Sequence, residues 1–198
     1  MRILVVGATG LLGKEIVKLL STEHEVIGAS RKGSTVSVDI SDKQSILAMY
    51  KQVGTVGAVV CVAGTAKFAP LYSLSDDDFA FSMANKLMGQ VNLVRYGVPH
   101  LVQGGSVTLT SGLLAQHPMQ GSAALSAVNA GIEAFGRAAA LELQGRARVN
   151  VVSPGWVSET LEAMGRDPND GVRAAVVAEA YRQSILEDIS GQVILATR

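Results

Sequence analysis

The sequence predicts an α/β fold: a doubly wound parallel sheet of about seven strands, helices on both faces, in a single domain over residues 1–198. Two observations carry this. Short apolar runs alternate with helix-patterned segments from end to end. The first run, ILVV at 3–6, is apolar at every position, as suits a strand covered by helices on both faces. Strand–helix alternation of this kind closes by right-handed crossovers into a parallel sheet. A length of 198 residues fits one such core.

Each element follows in order. LLGKEIVKLL at 11–20 places Leu12, Ile16, Leu19 and Leu20 on one helical stripe. EVIGAS (25–30) and TVSVDI (35–40) read as strands two and three, and SDKQSILAMYKQ as a helix. AVVCVAG at 58–64 is the fourth strand, followed by a long helix around 76–101. Next come a strand at 106–111 (SVTLTS), a helix at 122–143 and a strand at 148–153 (RVNVVS). A helix at 173–186 and a terminal strand, QVILAT, close the pattern.

Composition narrows the function. Lys plus Arg and Asp plus Glu stand at 17 each, so no basic field attracts nucleic acid or anionic lipid. The apolar start of MRILVVGATG runs straight into a glycine turn, so it reads as a first strand and not a signal sequence. No apolar run approaches the roughly 20 residues that span a bilayer. The single Cys61 forms no internal disulfide and suits a reducing compartment. The expectation is a cytoplasmic domain without a metal.

GATGLLG sets Gly7, Gly10 and Gly13 between the first strand and the first helix. Gly7 serves the tight turn, Gly10 lets the backbone approach a diphosphate, and Gly13 allows close helix–strand packing. This makes the fold Rossmann-like, with helix-opening amides turned to an anion. Thr9 and Leu12 belong to the same turn. The second strand ends in Ser30, Arg31 and Lys32, with no acid to accept ribose hydroxyls. A guanidinium there suits the extra phosphate of NADP(H), which is favoured over NAD(H). Asp39 and Ile40 end the third strand. Asp39 either meets the adenine amino group or caps the next helix, a role for which Ser41 competes.

Together these stretches resemble the short-chain dehydrogenase/reductase family over nearly the whole chain. CVAG at 61–64 is similar to the family's fourth-strand element along the cofactor, matching at Ala63 and Gly64. NKLMGQVNLVRYGVPHL resembles its fourth helix, with Asn85 at the place of a structural, proton-relaying asparagine. GGSVTLTS resembles the strand that ends in the catalytic serine, here Ser111. RVNVVSPGWV resembles the strand and turn that contact nicotinamide, through Pro154, Gly155 and Val157. The resemblance implies a nicotinamide-dependent oxidoreductase, and a homodimer through the fourth and fifth helices. Ala123, Ala124, Ala127, Ala130, Gly131, Ala134 and Ala138 also suit close helix approach. Their alternative role is packing on the chain's own sheet.

The family's chemistry uses Tyr-x-x-x-Lys, two side chains on one helical face. NAGIEAFGRAAALEL resembles the helix following that pair, which places Leu125 and Asn129 where tyrosine and lysine stand. None of Tyr50, Tyr72, Tyr96 and Tyr181 has a lysine four residues on, and Lys86 is the last lysine of the chain. Leucine exchanges no proton, while Asn129 can still bond a ribose. The remaining candidates are Ser111 as donor to a carbonyl, Asn85, and His117 in the loop QHPMQG, a general acid or a solvated side chain. Tyr72 reads as a packing residue at a helix start, and Lys67 as a surface charge. SETLEAMGRDPNDG, polar with Pro168 and Gly171, reads as a short lid or mobile loop. Two functions follow: an NADP(H)-dependent oxidoreductase of a small carbonyl or alcohol with a non-standard site, or a non-catalytic NADP-binding sensor or scaffold.

Overall fold

The computed structural model describes residues 1–197. Its strands are β1 (Arg2–Val6), β2 (Glu25–Ser30), β3 (Val36–Ser37), β4 (Val56–Cys61), β5 (Leu101–Thr110), β6 (Ala147–Pro154) and β7 (Val193–Ala196). Among the described residues they form one sheet in the order β3-β2-β1-β4-β5-β6-β7. Every neighbouring pair is parallel. Helices α1 (Leu11–Leu20), α2 (Lys43–Val53), α3 (Asp76–Ser82), α4 (Gly89–Gly97), α5 (Ala123–Glu142), α6 (Ser158–Ala163) and α7 (Ala174–Leu186) occupy the connections. The Rossmann-like architecture is the one read from the sequence.

The alternation along β1 explains the two layers. Ile3 and Val5 pack with Ile16 and Leu20 of α1 and Tyr181 and Ile185 of α7. Leu4 and Val6 face the opposite core, with Ile46, Met49 and Tyr50 of α2, Leu93 of α4 and Val128 and Ile132 of α5. Full burial of each such side chain contributes roughly 1.5–3 kcal/mol, so both faces of the sheet are strongly committed. The strand order reverses between β1 and β4, which opens a crevice at their C-terminal ends.

The structure departs from the sequence reading at five places. TVSVDI pairs only through Val36 and Ser37, opposite Ala29 and Ser30, because this edge segment has one neighbour. Beyond it the backbone turns, and the Asp39 N–H donates to Ser45 Oγ. Neither Asp39 nor Ser41 caps α2: Asp42 does, accepting from the N–H groups of Gln44 and Ser45. The long helix divides into α3, a π-helical turn at Met83–Met88, α4 and a 3-10 turn at Val98–His100. β5 then begins at Leu101, five residues before the predicted strand. Finally, the polar segment after PGWV holds α6 and is tied down. Val157 bridges to Val172, and the Glu159 carboxylate accepts the Ala174 N–H. No helix among the described residues is long and apolar enough to cross a membrane.

Candidate functional site

A cleft of about 590 Å³ opens where the strand order reverses, lined by the ends of β1, β2 and β4. Gly7 floors it at φ +93°, a conformation that disfavours side chains, and a Cβ there would come within 2.8 Å of the Ala63 nitrogen. A Cβ at Gly13 would overlap the Gly7 carbonyl oxygen. Both glycines therefore let β1, β4 and α1 close tightly around the turn. Gly10 caps α1 without any side-chain hydrogen bond, and the first turn holds no acid. The opening amides and the positive end of the helix thus suit an anionic diphosphate.

The far end of the cleft is polar. The Thr9 hydroxyl donates to Ser30 Oγ at 3.2 Å, and Ser30 and Ser34 share a 2.6 Å contact. Arg31, Lys32 and Asp39 line the same end. Asp39 Oδ1 accepts from both the N–H and the O–H of Ser41, at 2.9 and 2.7 Å. Those bonds hold its carboxyl below the usual range, and the Arg31 charge adds to the effect. The combination offers a charged fork for a phosphate beside an acceptor for an amino group. These residues fit a phosphorylated dinucleotide.

A buried polar network beside the cleft assembles from three elements. The π turn at Met83–Met88 carries Asn85 and Lys86 to one place, a use common for such turns. Asn85 Oδ1 accepts the Thr65 N–H at 2.8 Å and so fixes the loop after β4. Lys86 Nζ donates to Asn129 Oδ1 at 2.7 Å and to the Ser111 carbonyl at 3.2 Å. Burial lowers the Lys86 amine to about 8, against a smaller opposing effect from Cys61. One turn beyond Asn129, the buried Glu133 carboxylate accepts the Ser111 hydroxyl at 2.9 Å and the Gln116 amide at 3.2 Å. The result joins α5, the end of β5 and the π turn through Ser111.

Residues 12–191 match the family model described as Enoyl-(Acyl carrier protein) reductase. The chain belongs to the short-chain dehydrogenase/reductase family. It is 36% identical to the protein lin1944 from Listeria innocua, with 98% of each chain covered and a TM-score of 0.94. A small-chain dehydrogenase solved in complex with NADPH is 27% identical, covering 98% of this chain and 95% of that one, at a TM-score of 0.85. Carbonyl reductase family member 4 from Danio rerio is 26% identical over 159 residues, 77% of this chain. That match spans 66% of the relative, slightly less than two thirds of its length.

In this short-chain dehydrogenase/reductase, Gly7, Thr9, Gly10, Ser30, Arg31, Asp39, Ile40, Ala63, Gly64 and Asn85 all line one cleft. Leu12 and Gly13 lie in the first turn of α1. Pro154 ends β6, and the Gly155 N–H donates to the Ala196 carbonyl at 3.1 Å. Val157 opens the segment before α6. His117 is exposed beyond the 3-10 turn at Leu113–Ala115, its N–H bonded to the Leu113 carbonyl. Tyr72 does not pack: it is 90% exposed. Lys67, read as a surface charge, forms an ion pair with Asp78 at 3.2 Å. Tyr50 and Tyr181 are fully buried in opposite cores, where burial drives both phenols far above their ordinary value.

Sequence reasoning missed Lys86 and Glu133. A search for a lysine four residues after a tyrosine looks along one helix, whereas this amine arrives from another. A usable signal existed for Glu133: Leu125, Asn129 and Glu133 follow at four-residue spacing, so an acid shares their helical face.

Proposed function

We propose that this short-chain dehydrogenase/reductase binds NADP(H) and interconverts a small carbonyl compound and its alcohol. The observation that carries the reading is the side-chain-free turn of Gly7 and Gly10, which lines one cleft together with Arg31 and Lys32. The similarity to a dehydrogenase solved with NADPH supports it. Bound there, the dinucleotide supplies or accepts the hydride.

The chain's own residues do the rest. Gly7, Thr9, Gly10, Leu12 and Gly13 hold the diphosphate. Ser30 and Arg31 take the extra phosphate, and Asp39 and Ile40 the adenine. Ala63, Gly64, Asn129, Pro154, Gly155 and Val157 hold the nicotinamide half. Ser111, Asn85 and His117 are the candidate groups on the substrate side. A compartment that keeps Cys61 reduced, as the cytoplasm does, fits this free, buried thiol. Ala127, Ala130, Ala134 and Ala138 form an exposed face on α5, suited to a two-fold homodimer.

A second reading is favoured by the resemblance, which implies that Leu125 takes the place of the family's tyrosine. On that reading the chain binds NADP(H) without turnover, as a sensor or scaffold. Thermal melting with NADPH and NADH, followed by NADPH consumption over a panel of small aldehydes and ketones, separates the two. A melting shift larger with NADPH plus turnover supports the oxidoreductase. A shift without turnover supports the sensor, and no shift near millimolar cofactor overturns both.

A further inference from the structure

We propose that Lys86 is the acid–base group of this cleft, an inference that rests on the oxidoreductase reading and supplies the proton Leu125 cannot. Two features of the packing and the chemistry of its surroundings support this.

The first is access. Gly64 lines the cleft at φ +119°, and a Cβ there would meet the Lys86 Cγ, Cα and Cβ at 3.0–3.2 Å. The lysine stem therefore packs directly against Gly64, a residue of the cleft wall, and follows Asn85, which lines the cleft. Lys86 also keeps part of its surface open to solvent.

The second is orientation. Two of the three ammonium N–H groups go to Asn129 Oδ1 and the Ser111 carbonyl, which leaves one for a substrate oxygen. The Asn129 amide nitrogen points to the Gly112 carbonyl at 3.5 Å, so its oxygen is the atom turned to the lysine.

The third is chemistry. Asn129 and the Ser111 carbonyl are neutral acceptors. They hold the nitrogen without fastening its proton as a carboxylate would. The Cys61 thiol of β4, held protonated by burial, interacts with it, and the Glu133 carboxylate of α5 lies one turn beyond Asn129. Glu133 is turned to Ser111 Oγ and Gln116, not to Nζ. Burial leaves the amine titrating at about 8, close to the pH at which an acid–base group works best.

In reduction, the carbonyl carbon takes a hydride from the reduced nicotinamide while the oxygen takes the Nζ proton. The C=O π bond breaks, C–H and O–H bonds form, and the substrate is reduced as the nicotinamide is oxidised. The neutral amine regains a proton from solvent. Alcohol oxidation runs the same steps backwards and begins from the neutral amine.

The test joins a titration to kinetics. Lys86 is labelled with acetic anhydride across pH 6–11 and quantified by mass spectrometry, with the exposed Lys51 as internal reference. Its labelling midpoint is expected about two pH units below the ordinary lysine value of about 10.4. With NADPH and a panel of small aldehydes and 1,2-diones, kcat/KM for reduction is expected to fall tenfold per pH unit above that midpoint. Lys86→Met and Lys86→Arg are each expected to lose about 10²–10⁴-fold. Arginine keeps the charge and donors but does not give up its proton, so it rescues a structural role and not an acid. Lys86→Arg turning over within a few-fold of wild type, or a midpoint near that of Lys51, overturns the assignment even if Lys86→Met does not fold. Failure of the wild type to turn over any carbonyl while binding NADPH overturns the oxidoreductase reading, and the assignment with it. Turnover retained in Lys86→Arg overturns the assignment alone.

Discussion

Lys86 Nζ and Asn129 Oδ1 meet at 2.7 Å across 43 residues of sequence. One lies in a π turn and the other on α5. The contact sets a buried cation against an α5 side chain beside Ser111.

The Lys86 titration contributes to the pH dependence of stability. The folded chain lowers the Lys86 amine from 10.5 to about 8. Below pH 8 the lysine is protonated in both states, and the folded state bears the cost of burying that charge. Between 8 and 10.5 the unfolded chain binds more protons, so stability rises with pH. Allowing for its partial exposure, the gain is about 1–2 kcal/mol. Urea unfolding at pH 7.5 and 10 is expected to show wild type gaining this much relative to Lys86→Met. The comparison cancels the opposite drift from Cys61, whose raised thiol loses stability as pH climbs past 9. A pH-independent difference would contradict the shift.

Cofactor choice is expected to depend on Arg31. A hydrogen bond to a charged phosphate contributes about 1.5–3 kcal/mol. Arg31→Ala is therefore expected to weaken NADPH binding about 10–100-fold while leaving NADH binding nearly unchanged, as read by titration calorimetry. Equal weakening of both would place Arg31 away from the phosphate.

Ser111 and Glu133 are expected to act as a pair. Ser111→Ala leaves the buried Glu133 carboxylate with the Gln116 amide alone, at a cost of about 1–3 kcal/mol. Glu133→Leu together with Ser111→Ala is expected to cost less than the sum of the single changes, measured by a double-mutant cycle in urea. Strict additivity would mean that the bond carries no coupling.

The alanine face of α5 tests the assembly. Ala134 is exposed beside Ala127, Ala130 and Ala138. Sedimentation velocity is expected to show a dimer for wild type and a monomer for Ala134→Arg, with little change in melting of the monomer fold. A monomeric wild type would remove the homodimer proposal.

Much of this molecule was legible in its sequence. Apolar runs at 3–6 and 193–196 mark β1 and β7, Val-rich segments mark the C-terminal part of β5 and β6, and Gly7, Gly10 and Gly13 mark the crossing into α1. TVSVDI was longer on paper than in the sheet, because alternation reports a buried face and cannot report a missing neighbour strand. The stretch at 76–101 kept helical periodicity through a π turn and then gave way at Leu101, which pairs with Val56. Helical spacing does not mark either break. At the site, the turn residues could be read because their chemistry lies in local backbone geometry. Lys86 and Glu133 could not, because their meaning comes from contacts between elements: a lysine beside Asn85 looks like any helix surface residue until α5 brings Asn129 to it.

The central claim is that hydride passes between NADP(H) and a small carbonyl in this cleft. The most direct measurement uses NADPH deuterated at C4 on the transferable face, with each face tried in turn, and the panel of aldehydes and 1,2-diones. Mass spectrometry of the products is expected to find one deuterium on the carbinol carbon from one of the two faces, and the same label formed about 10²–10⁴-fold more slowly when Lys86→Arg replaces wild type. Unlabelled mixtures from both faces, in a protein whose melting shifts with NADPH, would contradict the account.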